Sequence, residues 1–508
     1  WFPRIVVAHG EPIGEACATV PELVNDKSMA ASRLTRIPFT HRKIMDSQAL
    51  SRTYPVLFSL CLSFFLFLSS SPATAAPPSP PPSPSPPFPK DALPTQSGYL
   101  PVNATSRSAM YFAYYEARQP RQPLPRTPLL VWLQGGPGCS SMLGNFFELG
   151  PWLVADSPAG PALKHNPYSW NRRFGLLFLD NPIGSGFSVA ADPEEIPRDQ
   201  TAVARHLWVA LQAFFSSNPT FRSRPFYLTG ESYAGKYVPA AGYYILQRNA
   251  RTGAAHRINL LGVAIGNGLT HPVVQVSTHA DSAYYSGLIN ERQKTRLEEL
   301  QDAAVKLTLA EKWVAAAEAR GRVLEWLQNA TGLATLYDLS KMQPYLDDKV
   351  GAFLNKEEVK AALGVEKGTA WEECSDAVGA ALHADVMKST KRAVEGVLRQ
   401  VRVLLYQGVF DLRDGVVSTE AWVKKLEWEG LEGFLAAERR GWRVGVGEGR
   451  LGGYSQRHGR LSHVVVAGAG HLVPTDQGLS AQVMIEDWVM EEGLFGGPQE
   501  VHSTPKSS

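Results

Sequence analysis

Along most of the chain, short and predominantly apolar runs alternate with stretches of helical periodicity. These are Met110–Tyr115 (MYFAYY), Leu129–Leu133 (LLVWL), Leu176–Leu179 (LLFL), Pro225–Leu228 (PFYL), Ile258–Ile265 (INLLGVAI), Val401–Tyr406 (VRVLLY) and Val464–Ala467 (VVVA), and all but the first run within two residues into Gly, Asn or Gln. Runs of this length without polar alternation are the form of strands buried on both faces. Between them, Asp199–Ser216 places Val203, Leu207, Ala210, Leu211 and Phe214 three or four residues apart, and Leu479–Met490 offers Val483, Ile485, Trp488 and Val489. Both predict helices packed on a sheet. The alternation predicts an α/β fold: a mostly parallel central sheet with helices on both faces. The first two runs, separated by a Pro-rich turn, read as a hairpin or edge pair. Asn290–Gly321 is rich in Glu, Lys, Arg, Ala and Leu, and strand character returns only near Val401. We therefore expect a core from 94 to 287, a helical cap inserted over 288–370, the rest of the core over 371–495, and a disordered tail at 496–508.

The N-terminal segment changes the boundaries of that fold. Residues 1–44 show no sustained period and read as upstream sequence outside the mature protein. Met45 is followed by Arg52, the apolar run Val56–Leu68 and the small residues Ala73-Thr74-Ala75, the form of a signal peptide over 45–75. The run is short for a bilayer span, which needs about 20 residues. If 1–44 is a genuine extension, Val56–Leu68 becomes a type II anchor instead. Residues 76–93, beginning APPSPPPSPSPPFP, lack donors for a core and predict a disordered or PPII tether.

Charge and cysteines narrow the class further. With 50 basic and 48 acidic residues the net charge is +2, which favours neither nucleic acid nor an anionic membrane. Of four cysteines, Cys17 and Cys61 lie in the discarded segments, leaving Cys139 and Cys374 as one disulfide across a very long loop or as two buried thiols. Asn103-Ala104-Thr105 and Asn329-Ala330-Thr331 are glycosylation sequons. The 12 histidines form no cluster with metal-ligand spacing, so neither metal nor other cofactor is expected.

One stretch carries a specific chemistry. Arg224–Tyr237 (RPFYLTGESYAGKY) reads as strand, sharp turn and helix around Ser232, as in a nucleophile elbow, although Ala234 stands where G-x-S-x-G has its second glycine. An ordinary strand-to-helix connection fits those residues too. A serine nucleophile needs an imidazole to take its proton and a carboxylate to orient that imidazole. Strand 401–406 runs into Asp411 and strand 464–467 into His471, in the chain order serine, acid, histidine. Asp414 is the competing acid, and His458 and His463 read as a surface hairpin before the last strand. Gln134-Gly135-Gly136-Pro137-Gly138 follows a strand and can expose backbone N–H groups. It has neither the lysine of a phosphate loop nor a dinucleotide fingerprint.

Together WLQGGPGCSS (Trp132–Ser141), FFELGP (Phe146–Pro151), LDNPIGSGFS (Leu179–Ser188), LTGESYAGKYVP (Leu228–Pro239), AIGNGLT (Ala264–Thr270) and GAGHLVPTDQ (Gly468–Gln477) resemble the serine carboxypeptidase family, its plant members above all. The resemblance runs from about Gly98 to Trp488 and implies an α/β-hydrolase fold with a helical insertion. It further implies Ser232 as nucleophile, His471 as general acid/base, Asp411 as orienting acid, and the amides of Gly136 and Tyr233 as oxyanion hole. Gln134, Gly135, Glu148 and Glu231 align with the groups that bind the substrate carboxylate, and Cys139 and Cys374 with the core disulfide. From the residues alone, Glu148 can equally be a carboxyl bonded to backbone. Two departures stand out: Gln134 replaces the usual Asn, and Val409 occupies a position where many members carry an extra Asp.

The reading expected from this resemblance is an acid serine carboxypeptidase acting on peptide C-termini in the secretory pathway, vacuole or apoplast. It would be a monomer or homodimer without stable membrane association after signal cleavage. The same triad could serve an acyltransferase using glucose esters, against which Glu231 stands, since those members tend to carry Asp before the serine. A catalytically silent binding glycoprotein is the third reading.

Overall fold

The computed structural model describes residues 88–158, 160–446 and 449–496. The segments read as upstream sequence and signal peptide, most of the tether, and residues 497–508 of the tail lie outside the described residues. The described chain begins earlier than the expected start at 94. Phe88 is buried, and its ring packs against Phe146 and Phe353. An aromatic residue at the end of a Pro-rich stretch is what lets 88–93 dock.

Twelve strands are described: β1 Gln96–Pro101, β2 Ala109–Tyr115, β3 Leu129–Leu133, β4 Trp152–Ala155, β5 Ala162–His165, β6 Gly175–Leu179, β7 Phe226–Glu231, β8 Leu260–Gly266, β9 Arg402–Gly408, β10 Arg440–Val444, β11 Arg450–His458 and β12 Leu461–Val466. Apart from the small β4–β5 pair they form one sheet, in the order β1-β2-β6-β3-β7-β8-β9-β12-β11-β10. The run from β6 to β12 is parallel, and antiparallel strands flank it at both edges. The expected pairing of the first two apolar runs is not found. β2 pairs with β1 and β6, and β3 lies beyond β6, between β6 and β7. The reason is burial: β3 is apolar on both faces, which an edge position would waste.

That two-sided burial organises the core. Leu129, Val131 and Leu133 face one apolar cluster, while Leu130 and Trp132 face the other. Helix Gln200–Ser217 packs its Val203, Leu207, Ala210, Leu211 and Phe214 into the first, and Asp199 caps its start by accepting from the Ala202 amide. Helix Gly478–Met490 closes the second with Ile485 and Trp488.

Between β8 and β9 the structure is helical. Helix Glu291–Leu309 starts with a reciprocal capping box between Asn290 and Gln293, and Trp313–Thr331 packs beside it, ending at left-handed Gly332. Residues between Val276 and Leu336 form their own apolar cluster, whereas Val350, Phe353, Leu354, Val359 and Leu363 belong to a core cluster of the main sheet. The insertion with a separate core is therefore shorter than the helix-rich sequence. His463 also differs from expectation. It lies inside β12, fully buried, with Nε2 on the Gln407 side chain and Nδ1 paired to Glu420. β12 begins at Leu461, because Leu461 and Ser462 register against Val403 and Leu404.

Candidate active site

β7 ends at Glu231 and the next helix begins at Ala234, so Ser232 must reverse the chain with φ at 60°. A non-glycine residue held in this region costs on the order of 1–3 kcal/mol, and neighbours must enforce it. Here Ser232 donates its amide to the Gly266 carbonyl at 3.0 Å and its carbonyl accepts from Leu269 and Gly235, each at 2.9 Å. The strained turn that the sequence suggested is present. The helix it starts carries Pro239 in its second turn. The Gly235 carbonyl, which loses its helical donor there, accepts instead from Thr270 and Thr390 hydroxyls at 3.0 and 3.3 Å.

The loop after β3 lies directly against this turn. A Cβ on Gly135 would stand 2.5 Å from the Tyr233 nitrogen and 2.7 Å from the Ser232 Cβ, so glycine alone permits the approach. Gly136 follows with φ at 108°. Just beyond, Cys139 is disulfide-bonded to Cys374, which ties the loop to the chain entering the 376–398 helices.

Asp411 and His471 meet at the ends of β9 and β12. His471 Nδ1 donates to Asp411 Oδ2 at 2.8 Å. The same oxygen accepts from Asn267 Nδ2 at 2.6 Å, and Oδ1 accepts from the amides of Arg413 and Asp414 at 2.7 and 3.2 Å. Both oxygens of Asp411 are thus engaged as acceptors. Asp414 turns away to Arg320 at 3.3 Å. With Nδ1 engaged, His471 keeps Nε2 free for a proton. That atom is buried and has no partner among the described residues, so the hydrogen bond to the Ser232 hydroxyl is not made in this structure. Catalytic bonds of this kind often close only around substrate.

Two residues that hold this pair carried no assigned role in the sequence. Asn267 sits at φ 43°, a conformation asparagine tolerates better than most, and its position between two glycines at a strand end was the available signal. Tyr337, from the loop after helix Trp313–Thr331, stacks on the His471 ring with centroids 4.6 Å apart and accepts from the His471 amide at 2.7 Å. Nothing local in its sequence announces that placement.

Beside Ser232, a second cluster is built on β3, β7 and the helical turn Gly144–Glu148. Trp132 Nε1 donates to the Gln134 side-chain oxygen at 2.8 Å, which fixes the amide so that Nε2 donates to Glu148 at 3.1 Å and to Glu231 at 2.8 Å. Both carboxyls are buried, and the second oxygen of each lacks a partner among the described residues. Burial raises Glu148, and burial followed by the neighbouring Glu148 raises Glu231 well above the ordinary carboxyl value. Two buried carboxyls this close keep a proton between them. Glu148 is bonded through its side chain to Gln134, not to backbone. Asn103 and Asn329 lie away from these clusters, Asn103 in a turn where its side chain accepts from Thr105 and Asn329 exposed on helix Trp313–Thr331.

Residues 84–491 match the family model described as Serine carboxypeptidase. Over 421 residues the chain is 55% identical to Serine carboxypeptidase-like 50 of Arabidopsis thaliana, covering 83% of this chain and 93% of that one. It is 34% identical over 408 residues to Probable serine carboxypeptidase CPVL of Dictyostelium discoideum, covering 79% and 80%. Among solved structures it is similar to KEX1(delta)p, a prohormone-processing carboxypeptidase from Saccharomyces cerevisiae. That match has a TM-score of 0.71 and 25% identity, and covers 80% of this chain and 93% of that one. A family model that spans the sheet from its first strand to its last, on an α/β-hydrolase architecture, leaves one conclusion: the chain belongs to the serine carboxypeptidase family.

Proposed function

We propose that this protein is an acid serine carboxypeptidase in which Ser232 is the nucleophile, His471 the general acid/base and Asp411 the acid that orients it. The Ser232 hydroxyl attacks the carbonyl before the last residue of a peptide, and its proton passes to His471 Nε2. The tetrahedral oxyanion is held by the amides of Gly136 and Tyr233. His471 then gives the proton to the departing amine, and a water activated the same way releases the acyl group from Ser232. Asn267 restrains Asp411, so Asn267→Ala is expected to lower kcat about tenfold with KM little changed, since a hydrogen bond to a charged group contributes about 1.5–3 kcal/mol. Steady-state kinetics on a blocked dipeptide measures this, and an unaltered kcat would discount the residue.

The observation that carries the exopeptidase reading is the buried carboxyl pair beside the nucleophile, joined by Gln134. In this reading Gln134, Gly135, Glu148 and Glu231 receive the terminal carboxylate, which requires the glutamates to donate protons. Both groups are raised from 4.5, so they donate at acidic pH and ionise as pH climbs. KM for a free-acid peptide should therefore rise from acidic toward neutral pH. The same shift acts on stability. The folded state retains protons that the unfolded chain releases, so this contribution is full below 4.5 and disappears as pH rises through the folded values. A C-terminally amidated peptide should be about 100-fold poorer in kcat/KM than the free acid, from two charge-assisted hydrogen bonds lost. Equal rates would refute the carboxylate site, and turnover of a glucose ester alone would favour acyl transfer. The disulfide fits an exported protein, with Asn103 and Asn329 as glycan acceptors.

A further inference from the structure

Asp476 occupies a position that the triad and the carboxylate pair leave unexplained. It ends the helical turn Val473–Asp476, directly after the loop that presents His471. Its side chain is 3% exposed. Oδ2 accepts from the Gly470 amide at 2.9 Å and from the Tyr345 hydroxyl at 2.6 Å. Oδ1 pairs with Lys341 at 2.9 Å, and Lys341 also lies over the Tyr345 ring.

These partners join two halves of the site. Gly470 precedes His471, and it is pressed so closely by the loop above that a Cβ there would stand 2.4 Å from the Tyr337 carbonyl. Tyr345 packs edge-on against Phe147, the residue before Glu148, and Thr475 donates to the Phe147 carbonyl at 3.2 Å. The cap loop, which follows helix Trp313–Thr331 and supplies Tyr337, Lys341 and Tyr345, is also bonded to the Asp411 loop, through Leu412 to Leu336 at 3.0 Å and Leu339 to Phe410 at 3.0 Å. One carboxylate thus lies where the histidine loop, the cap loop and the Glu148 turn converge.

We propose that Asp476 is a positioning residue for both halves of this site: through Gly470 it holds the loop that presents His471, and its ion pair with Lys341 sets the charge felt beside Glu148. The second part rests on the carboxylate-binding reading above. The groups that face the Glu148–Glu231 pair include Asp347 from the cap loop, Asp411 after β9, the phenols of Tyr406 and Tyr345, and the Gln134 amide. Asp476 adds a further negative charge, and Lys341 is the cation that offsets it. Removing the carboxylate charge should ease ionisation of the pair. Removing the lysine should oppose it.

The test compares Asp476→Asn, Asp476→Ala and Lys341→Gln with the wild-type enzyme, measuring kcat and KM for a blocked free-acid dipeptide and its amide from acidic to neutral pH. Thermal melting of each variant checks that it is folded. In Asp476→Asn the pH at which KM climbs should fall, and in Lys341→Gln it should rise, each by about half a unit or more. In Asp476→Ala, which removes the acceptor of the Gly470 amide, kcat should also drop about tenfold, because the histidine loop loses its anchor. Opposed shifts are a signature that simple loosening of the fold does not produce. Coincident KM profiles, or shifts in one common direction, overturn the proposal when the wild-type enzyme prefers the free acid. A wild-type enzyme that treats acid and amide alike overturns instead the carboxylate reading on which it rests.

Discussion

Ser232→Ala is expected to abolish covalent labelling by a fluorophosphonate probe and to lower kcat for peptide hydrolysis on the order of 10⁵- to 10⁶-fold. The size follows from the arrangement around the turn. A backbone held at φ 60° sets this residue against the β3 glycine loop, and among the described residues no other serine or threonine has a left-handed backbone. His471→Ala should cost nearly as much. The double variant should be hardly worse than either single one, because nucleophile and base act as a unit. Folding is not expected to suffer, since an alanine relieves none of the hydrogen bonds made by the Ser232 backbone. Persistent labelling of the Ser232→Ala protein would move the nucleophile elsewhere and remove the role given to the Asp411–His471 pair.

The parts of this site legible in the sequence are those made by a strand end and the few residues after it. Ser232, Asp411 and His471 each follow an apolar run that could only be a buried strand, and parallel strands deliver their C-terminal loops to one edge of the sheet. The order of strands was not legible, because β2, β3 and β6 are equally apolar. The placement of β3 between β6 and β7 depends on which faces the helices cover. His463 was misread for a related reason: a polar residue inside a strand looks like a loop until Gln407 and Glu420 are seen to satisfy it. Tyr337, Lys341 and Tyr345 come from the cap loop, and their contacts with His471 and Asp476 span well over a hundred residues of chain. Gln134 shows the converse. Its side chain is one methylene longer than that of the usual Asn, yet Trp132 fixes the amide so that it reaches both glutamates.

Lys236→Met should destabilise the protein by about 3–5 kcal/mol, the usual cost of leaving one charge of a buried pair without its partner. Lys236 lies one helical turn beyond Ser232, its side chain wholly enclosed, 2.5 Å from Asp385, whose own side chain is 2% exposed. Asp385 also accepts from the Tyr233 hydroxyl and the Gln200 amide, each at 2.7 Å. Burial pulls Lys236 down to about 8, further than the attraction of Asp385 restores, so at acidic pH the enclosed charge is itself unfavourable. Removing both charges should then be tolerated better than removing one. In the Lys236→Met, Asp385→Asn double variant the asparagine oxygen still accepts from Tyr233 and Gln200, and at least half of the lost stability should return. Urea denaturation at acidic pH measures all three proteins, and losses that simply add would refute the coupling. A recovered double variant that unfolds normally but turns over slowly would locate the pair's value in catalysis. Asp385 fixes the side chain of Tyr233, and the amide of that residue is one of the two donors proposed to hold the oxyanion.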